Sequence, residues 1–327
     1  MKRILITGAA GFVGYHLASR LSVDATNQLT LVDNFVRGRE DTDFATLLKQ
    51  PNVTAVRADL TQPSAFEELG DGFDEVYHLA AIIGVSNVME RPYDVVRVNG
   101  LSVLHLLDWF RKGGGRKLLF SSTSEAYAWT QHFHPLPIPT PEDVPIALTE
   151  VRNPRSSYAG SKIFGELAVT HGCISAGKPF VILRYHNVYG PRMGFEHVIP
   201  QLFERALTGQ NPLVVYSANH RRAFCYIADA VDATVAAMQT ESADGETFNV
   251  GNENAEVTIG ELAKMILTHV ETQPEVEAQA AAHDPIVRRS PDISKARRVL
   301  GFMPATSLEE GLAKTIEWYR ARLLQAV

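Results

Sequence analysis

The chain has 327 residues, 45% of them hydrophobic and 21% charged, with a formal net charge of −6. That length can bury a full core in one large domain or two intimate ones, and no apolar run approaches the ~18 residues that a membrane span needs. Charge is spread over both halves without a basic block, which argues against an extended nucleic-acid surface and leaves room for a single nucleotide ligand.

The N-terminus passes from Met1-Lys2-Arg3 directly into Ile4-Leu5-Ile6-Thr7-Gly8. This apolar stretch is too short for a signal peptide, so a cytoplasmic location is expected. Short β-branched runs then alternate with longer amphipathic stretches, the pattern of a parallel sheet wrapped by helices. Strands are predicted at Arg3–Thr7, Leu29–Asp33, Val53–Ala58, Glu75–Leu79, Lys117–Ser121 and Phe180–Arg184. Helices are predicted between them at Phe12–Leu21, Tyr93–Phe110 and Ser157–His171, where apolar residues recur every three or four positions. Gly113-Gly114-Gly115 should stop the second helix. Pro135-Leu136-Pro137-Ile138-Pro139-Thr140-Pro141 lacks too many donors for regular structure and reads as a surface loop. Beyond Pro191 the rhythm changes, with helices expected at Ile199–Leu207, Asp229–Gln239, Ile259–Thr268 and Leu308–Leu324. The expected architecture is α/β, a Rossmann-type doubly wound parallel sheet with a smaller α/β substrate-binding lobe. Residues 1–187 would form the first domain, with a return around 224–250, and 188–327 mainly the lobe. Cys173 and Cys225 form no C-x-x-C pair; they read as packing residues, and no metal site is expected.

Gly8-Ala9-Ala10-Gly11-Phe12-Val13-Gly14 lies between the first strand and the first helix, where backbone N–H groups and the helix dipole can hold a pyrophosphate. Asp33 ends the second strand at the distance expected of an acid that bonds adenosine ribose hydroxyls. Its charge repels a 2′-phosphate, so NAD is expected over NADP, although Arg37 and Arg39 follow closely. Asp59-Leu60 after the third strand and Leu79-Ala80-Ala81 after the fourth are placed to meet adenine and the cofactor backbone.

Tyr158 and Lys162 are four apart on a predicted helix and so share a face. A neighbouring ammonium favours the phenolate, which makes Tyr158 a usable base near neutral pH. The hydroxyl-rich strand end Phe120-Ser121-Ser122-Thr123-Ser124-Glu125-Ala126-Tyr127 falls where open α/β sheets bind ligands. Together with the glycine turn, Asp33, Asp59, His78-Leu79-Ala80-Ala81 and Asn99, these features resemble the extended short-chain dehydrogenase/reductase family nearly end to end. The resemblance implies a nucleotide-sugar enzyme that oxidises carbon 4 with bound NAD. Carried over, Thr123 is the hydroxyl of the triad, Tyr158 the base and Lys162 its electrostatic partner, with Ser124 and Glu125 as further catalytic candidates. The implied cofactor contacts are Gly8, Gly11, Phe12, Val13, Gly14, Asp33, Asn34, Asp59, Leu60, Leu79, Ala80, Ala81, Asn99, Ser121, Tyr158, Lys162 and Tyr185. The implied substrate contacts are Asn187, Val198, Tyr216, Arg222, Arg289 and Asp292, with Asn187 on the diphosphate, Arg222 and Arg289 where the family grips it, and a UDP-sugar as the expected substrate.

A 4,6-dehydratase usually carries an Asp-Glu pair after the threonine, and this chain has Ser124-Glu125. Thr-Ser-Glu, the Arg289 segment and Asp33-Asn34-Phe35 with Gly38 look like UDP-glucuronate decarboxylases. Against that, Ala126 and Ala128 replace the usual Val and Gly, and Tyr158-Ala159-Gly160-Ser161-Lys162 and His197-Val198-Ile199-Pro200 look more like epimerases. The expected reaction is therefore 4-epimerisation, with decarboxylation as the rival. A non-catalytic dinucleotide sensor is the alternative outside enzymes. Family members are often dimers joined through a four-helix bundle, which here would use Tyr93–Phe110 and Ser157–His171.

Overall fold

Parallel strands covered on both faces read as continuous apolar runs. Ile4-Leu5-Ile6, Leu118-Leu119-Phe120 and Val181-Ile182-Leu183 are all buried in the computed structural model, which describes residues 1–148, 150–280 and 286–323. The first part of the chain runs β1 (Lys2–Thr7), α1 (Phe12–Ser22), β2 (Asn27–Asp33), α2 (Thr42–Leu47), β3 (Val53–Arg57), α3 (Ser64–Leu69), β4 (Phe73–His78), α4 (Val85–Glu90), α5 (Pro92–Trp109), β5 (Gly115–Thr123), a single turn α6 (Glu125–Ala128), α7 (Ser156–Ala176) and β6 (Phe180–Tyr185). It continues as β7 (Val188–Tyr189), α8 (Val198–Leu207), β8 (Leu213–Tyr216), β9 (Arg221–Ala223), β10 (Cys225–Tyr226), α9 (Ile227–Gln239), β11 (Thr247–Val250), β12 (Glu256–Thr258), α10 (Ile259–Leu267), β13 (Val276–Gln279), β14 (Arg288–Arg289), α11 (Ser294–Leu300) and α12 (Leu308–Leu323).

Seven strands form one wholly parallel sheet in the order β11-β6-β5-β4-β1-β2-β3. The order reverses between β1 and β4, which opens a crevice at the carboxyl ends of the strands. Register puts the reactive ends in a row: Thr7 stands beside His78, His78 beside Phe120, and Thr123 beside Tyr185. Helices α5 and α7 pack together on one face; α1 and α9 pack together elsewhere in the fold. One hydrophobic core runs from Ile4, Leu119 and Val181 of the sheet into Phe203, Leu262 and Leu312 of the later segments, so the sheet and those segments are joined by continuous packing.

The long helices lie within a few residues of their predicted bounds, and Leu324 falls outside the described residues. Helices α2, α3 and α4 were not expected: six residues each give too few turns for a periodic signal. Helix α11 is mostly polar and buries only Ala296. The proline-rich segment departs further from expectation. It is more than a surface loop, because Thr140 is buried and forms a parallel bridge to Pro291. Proline removes donors from this stretch, but the Thr140 amide and carbonyl remain free to pair. They bond Ser290 O and the Asp292 amide, each at 2.9 Å.

Candidate active site

The glycine turn is shaped by close approach. Gly8 has φ +70°, and a Cβ there would lie 2.7 Å from the Ala80 amide nitrogen. At Gly14 a Cβ would lie 2.2 Å from Gly8 O, so α1 sits directly on the turn. Gly11 starts α1 and no side chain caps it. The first N–H groups of the helix, including those of Phe12 and Val13, have no intrahelical partner and carry the positive end of the dipole. That is the construction of a pyrophosphate cradle.

Asp33 closes the other side. Its Oδ2 accepts the Ala10 amide at 3.0 Å and its Oδ1 the Phe35 amide at 2.8 Å, so the carboxylate ties β2 to the turn. Burial raises its pKa, partly offset by the bonds from the Phe35 and Ala10 amides. Further lone pairs remain for ribose hydroxyls. Gly38 crosses so near that a Cβ would stand 2.8 Å from Asp33 Oδ1. Asn34 Oδ1 takes the Val36 amide at 3.1 Å, and Asp59 Oδ1 takes the Thr61 amide at 3.0 Å. Leu60 is buried, and the Ala80 amide points to Thr7 Oγ1 at 3.3 Å. Leu79 and Ala81 are half-buried, and the Leu79 amide bonds Thr7 O at 3.2 Å. Asn99 is spent on structure. It bonds Ile82 N at 2.7 Å, Ile82 O at 3.1 Å and Ser161 Oγ at 3.0 Å, fixing the chain after β4 against α7. The open cradle, the small residues facing it and the ribose acid fit a dinucleotide.

On α7, Lys162 Nζ donates to Ser121 O at 2.7 Å and lies over the Phe120 ring. Ser121 Oγ in turn donates to His78 O at 3.0 Å, linking β5 to β4. Burial lowers the Lys162 pKa to about 7. Burial raises the Tyr158 pKa, and the negative charge of Glu125 raises it further; a hydrogen bond with Thr123 and the positive charge of Arg37 act the other way. In the free protein the phenol is therefore protonated at neutral pH. Its conversion to a base depends on the positive charges of Lys162 and an oxidised nicotinamide. The structure thus brings Thr123 to Tyr158 and Ser121 to Lys162, one helical turn apart on α7.

Lys162 also gives a stability expectation. Its folded pKa lies below the ordinary 10.5, so its burial penalty is full below about pH 7 and fades as pH rises towards 10.5. Lys162→Met is expected to raise Tm by about 2 °C or more below pH 7. Thermal scans should show that gain shrinking towards pH 10.5.

Glu125, on the one-turn α6, stands among cations. Arg289 Nη1 approaches its Oε1 at 3.7 Å and Arg155 Nη2 at 3.9 Å. Arg289 Nε is buried and has no hydrogen-bond partner among the described residues. Arg155 was not anticipated. The signal for it was its position three residues before Tyr158, which puts both at the start of α7. Also unanticipated is Glu166, one turn beyond Lys162, which forms a buried two-pronged pair with Arg184 at 3.0 and 2.8 Å and accepts the Ser122 hydroxyl.

The other candidates sit at various distances from this chemistry. Ser124 is buried and its amide bonds Tyr185 O at 3.1 Å. The Tyr185 hydroxyl meets Thr234 Oγ1 of α9 at 2.7 Å. Asn187, with φ +39°, gives its Nδ2 to Ala223 O at 3.0 Å, holding the crossing between β6 and β7 against β9. Arg222 donates to Ile286 O at 2.7 Å and Val287 O at 3.2 Å, which ties β9 to the chain leading into Arg289. Asp292 Oδ1 accepts the Ser294 amide at 2.8 Å at the start of α11. Val198 is the first residue of α8 and Tyr216 ends β8, exposed.

A family model for the NAD-dependent epimerase/dehydratase family matches residues 4–251, from the first strand past the end of β11. The chain belongs to this family. Its cofactor is NAD. Among family relatives, the chain is 35% identical to a UDP-N-acetyl-alpha-D-glucosaminuronate decarboxylase of Bacillus cytotoxicus, covering 98% of each chain. It is 33% identical to UDP-glucuronic acid decarboxylase 1 of Xenopus tropicalis, covering 98% of this chain and 73% of that one. Among solved structures it resembles a UDP-glucuronic acid 4-epimerase from Bacillus cereus in complex with NAD. The TM-score is 0.84 at 27% identity, covering 98% and 99% of the two chains. A UDP-glucose 4-epimerase from Thermotoga maritima, solved with UDP-glucose, gives a TM-score of 0.83 at 28% identity over the same shares.

Proposed function

We propose that this family member decarboxylates a UDP-hexuronate such as UDP-glucuronate or its N-acetylamino analogue. The observation that carries this reading is Arg289, with a buried Nε lacking a partner among the described residues and an Nη1 facing Glu125, whose charge is felt by Tyr158. A partly paired, mostly buried guanidinium facing Glu125 suits an anionic sugar. The relatives named as uronate decarboxylases support the same choice, so the rival reading of the sequence gains over 4-epimerisation.

The glycine turn and Asp33 would hold NAD, which when bound would supply a hydride acceptor for carbon 4 and the hydride for the final reduction. Tyr158 takes the proton of the 4-hydroxyl, with Thr123 bonded to the phenol and Lys162 one helical turn on, held by Ser121 O. The resulting 4-keto group makes the carboxyl at carbon 6 that of a β-keto acid. The bond from carbon 5 to carbon 6 breaks, carbon dioxide leaves, and the electron pair moves onto the carbon 4 oxygen as an enolate. Arg289 stabilises the negative charge, and Glu125 holds Arg289 towards the reacting carbons. Carbon 5 then takes up a proton before reduction.

A 4-epimerase is the second reading. It is favoured by the His197-Val198-Ile199-Pro200 segment opening α8 and by the likeness to a UDP-glucuronic acid 4-epimerase. Incubating the NAD-loaded protein with UDP-glucuronate and its N-acetylamino analogue decides between them. Loss of carbon dioxide supports the first reading, and an isomer of unchanged mass overturns it.

A homodimer is part of the same proposal. Tyr93, Val96 and Leu104 of α5 and Phe164, Leu167 and Ile174 of α7 are exposed on two helices that pack side by side. An apolar surface of that kind marks an interaction site, and a second copy would complete a four-helix bundle. The double variant Val96→Glu/Leu167→Glu is expected to run as a monomer where the wild-type runs as a dimer, checked by light scattering.

A further inference from the structure

Behind Arg289 lies a buried polar chain that the reaction chemistry does not itself require. Asn249, on β11, is fully buried. Its Oδ1 accepts the Tyr127 hydroxyl at 2.8 Å, and the Tyr127 oxygen stands 2.6 Å from His186 Nε2. Because the Tyr127 proton points to Asn249, His186 Nε2 is the donor to Tyr127 and Nδ1 is left as a bare lone pair. His186 Nδ1 is indeed buried without a partner among the described residues, and burial holds the imidazole neutral by pushing its pKa down to about 3. The same Nε2 stands 3.1 Å from Asn249 Oδ1. On its other side, Asn249 Nδ2 donates to Thr140 O at 3.0 Å and to Asp292 O at 3.1 Å. Both protons of the amide are thus in use, and its oxygen accepts the Tyr127 hydroxyl.

The two sides of Asn249 lead to the two charged groups of the site. Tyr127 is on α6, two residues beyond Glu125. Asp292 and Ser290 pair with Thr140, and this joined segment carries Arg289. We propose that Asn249 is a positioning residue that sets the Arg289 segment in register with α6, so that the guanidinium faces Glu125 beside Tyr158. The proline-rich stretch is the outer half of the same clamp. Asn249 acts through Arg289, and the proposal rests on the uronate reading above.

The test uses NAD-loaded protein carrying Tyr158→Phe to stop turnover, titrated with UDP, UDP-glucose and UDP-glucuronate. Asn249→Asp keeps the shape but sets an oxygen against two carbonyls. Its expected effect is a fall of about tenfold or more in preference for UDP-glucuronate over UDP-glucose, with UDP affinity within about twofold. Tyr127→Phe cuts the other side of the node and is expected to act in the same direction; it carries the test if Asn249→Asp does not fold. A merely structural role would weaken all three ligands alike. That result, an unchanged preference in the variants, or a wild-type site with no preference to lose, overturns the proposal. Failure of the decarboxylase reading is seen separately, as a product of unchanged mass when Tyr158 is intact.

Discussion

Tyr158→Phe is expected to lower kcat about 10³-fold while leaving NAD content and thermal stability nearly unchanged. The phenol is the group placed to take the proton of the 4-hydroxyl at the row of strand ends, and loss of a positioned acid or base costs about 10²–10⁴-fold. Its neighbours make the estimate sharper. Burial and Glu125 hold the phenol protonated, so its use as a base rests on Lys162, on the Thr123 hydrogen bond and on the charge of the bound cofactor. Phe keeps the ring and removes only the hydroxyl, so the site should stay assembled. Turnover of UDP-glucuronate and cofactor released on denaturation are the two measurements. A loss below about tenfold would show that Tyr158 is not the base, whereas a wild-type protein that binds NAD and turns over no nucleotide sugar would point to a dinucleotide sensor.

How much of this was legible in the sequence follows the range of each contact. The glycine turn could be read directly because its constraints are local: Gly8 and Gly14 are fixed by one turn and the strand beside it. Tyr158 and Lys162 were readable because a helix converts a spacing of four into a shared face. Asp33 was readable because strand and turn lengths set how far it lies from the glycines. Glu125 was visible as a departure from the dehydratase pattern, yet its role was not. Its partners come from the start of α7 and from β14, and no periodicity connects those segments to α6. Asn249 carried no signal at all. An asparagine in an apolar strand end looks like a packing accident until the carbonyls of Thr140 and Asp292 are placed against it. The proline-rich stretch misled for a related reason. Composition shows that prolines cannot donate, but it does not show that the one threonine among them supplies both a donor and an acceptor to a distant strand.

Arg289→Met is expected to separate oxidation at carbon 4 from loss of carbon dioxide. Tyr158, Thr123 and Lys162 are untouched by the change, so NADH should still form when UDP-glucuronate is added. Carbon dioxide release should fall about 10²–10³-fold, the cost of removing one preorganised group that stabilises a developing oxyanion. NADH absorbance and trapped carbon dioxide are followed in the same reaction. Arg289→Lys keeps the charge but loses the planar fork, and it should recover part of the loss, because an ammonium cannot face Glu125 and the substrate with two parallel donors. The opposite result is equally informative. If oxidation and decarboxylation fall together, and UDP itself binds more weakly, then Arg289 grips the diphosphate, as the sequence resemblance suggests for that segment. In that case the approach of Arg289 to Glu125 at 3.7 Å would be a feature of the ligand-free site alone, and the source of enolate stabilisation would pass to Arg155, the other cation beside Glu125.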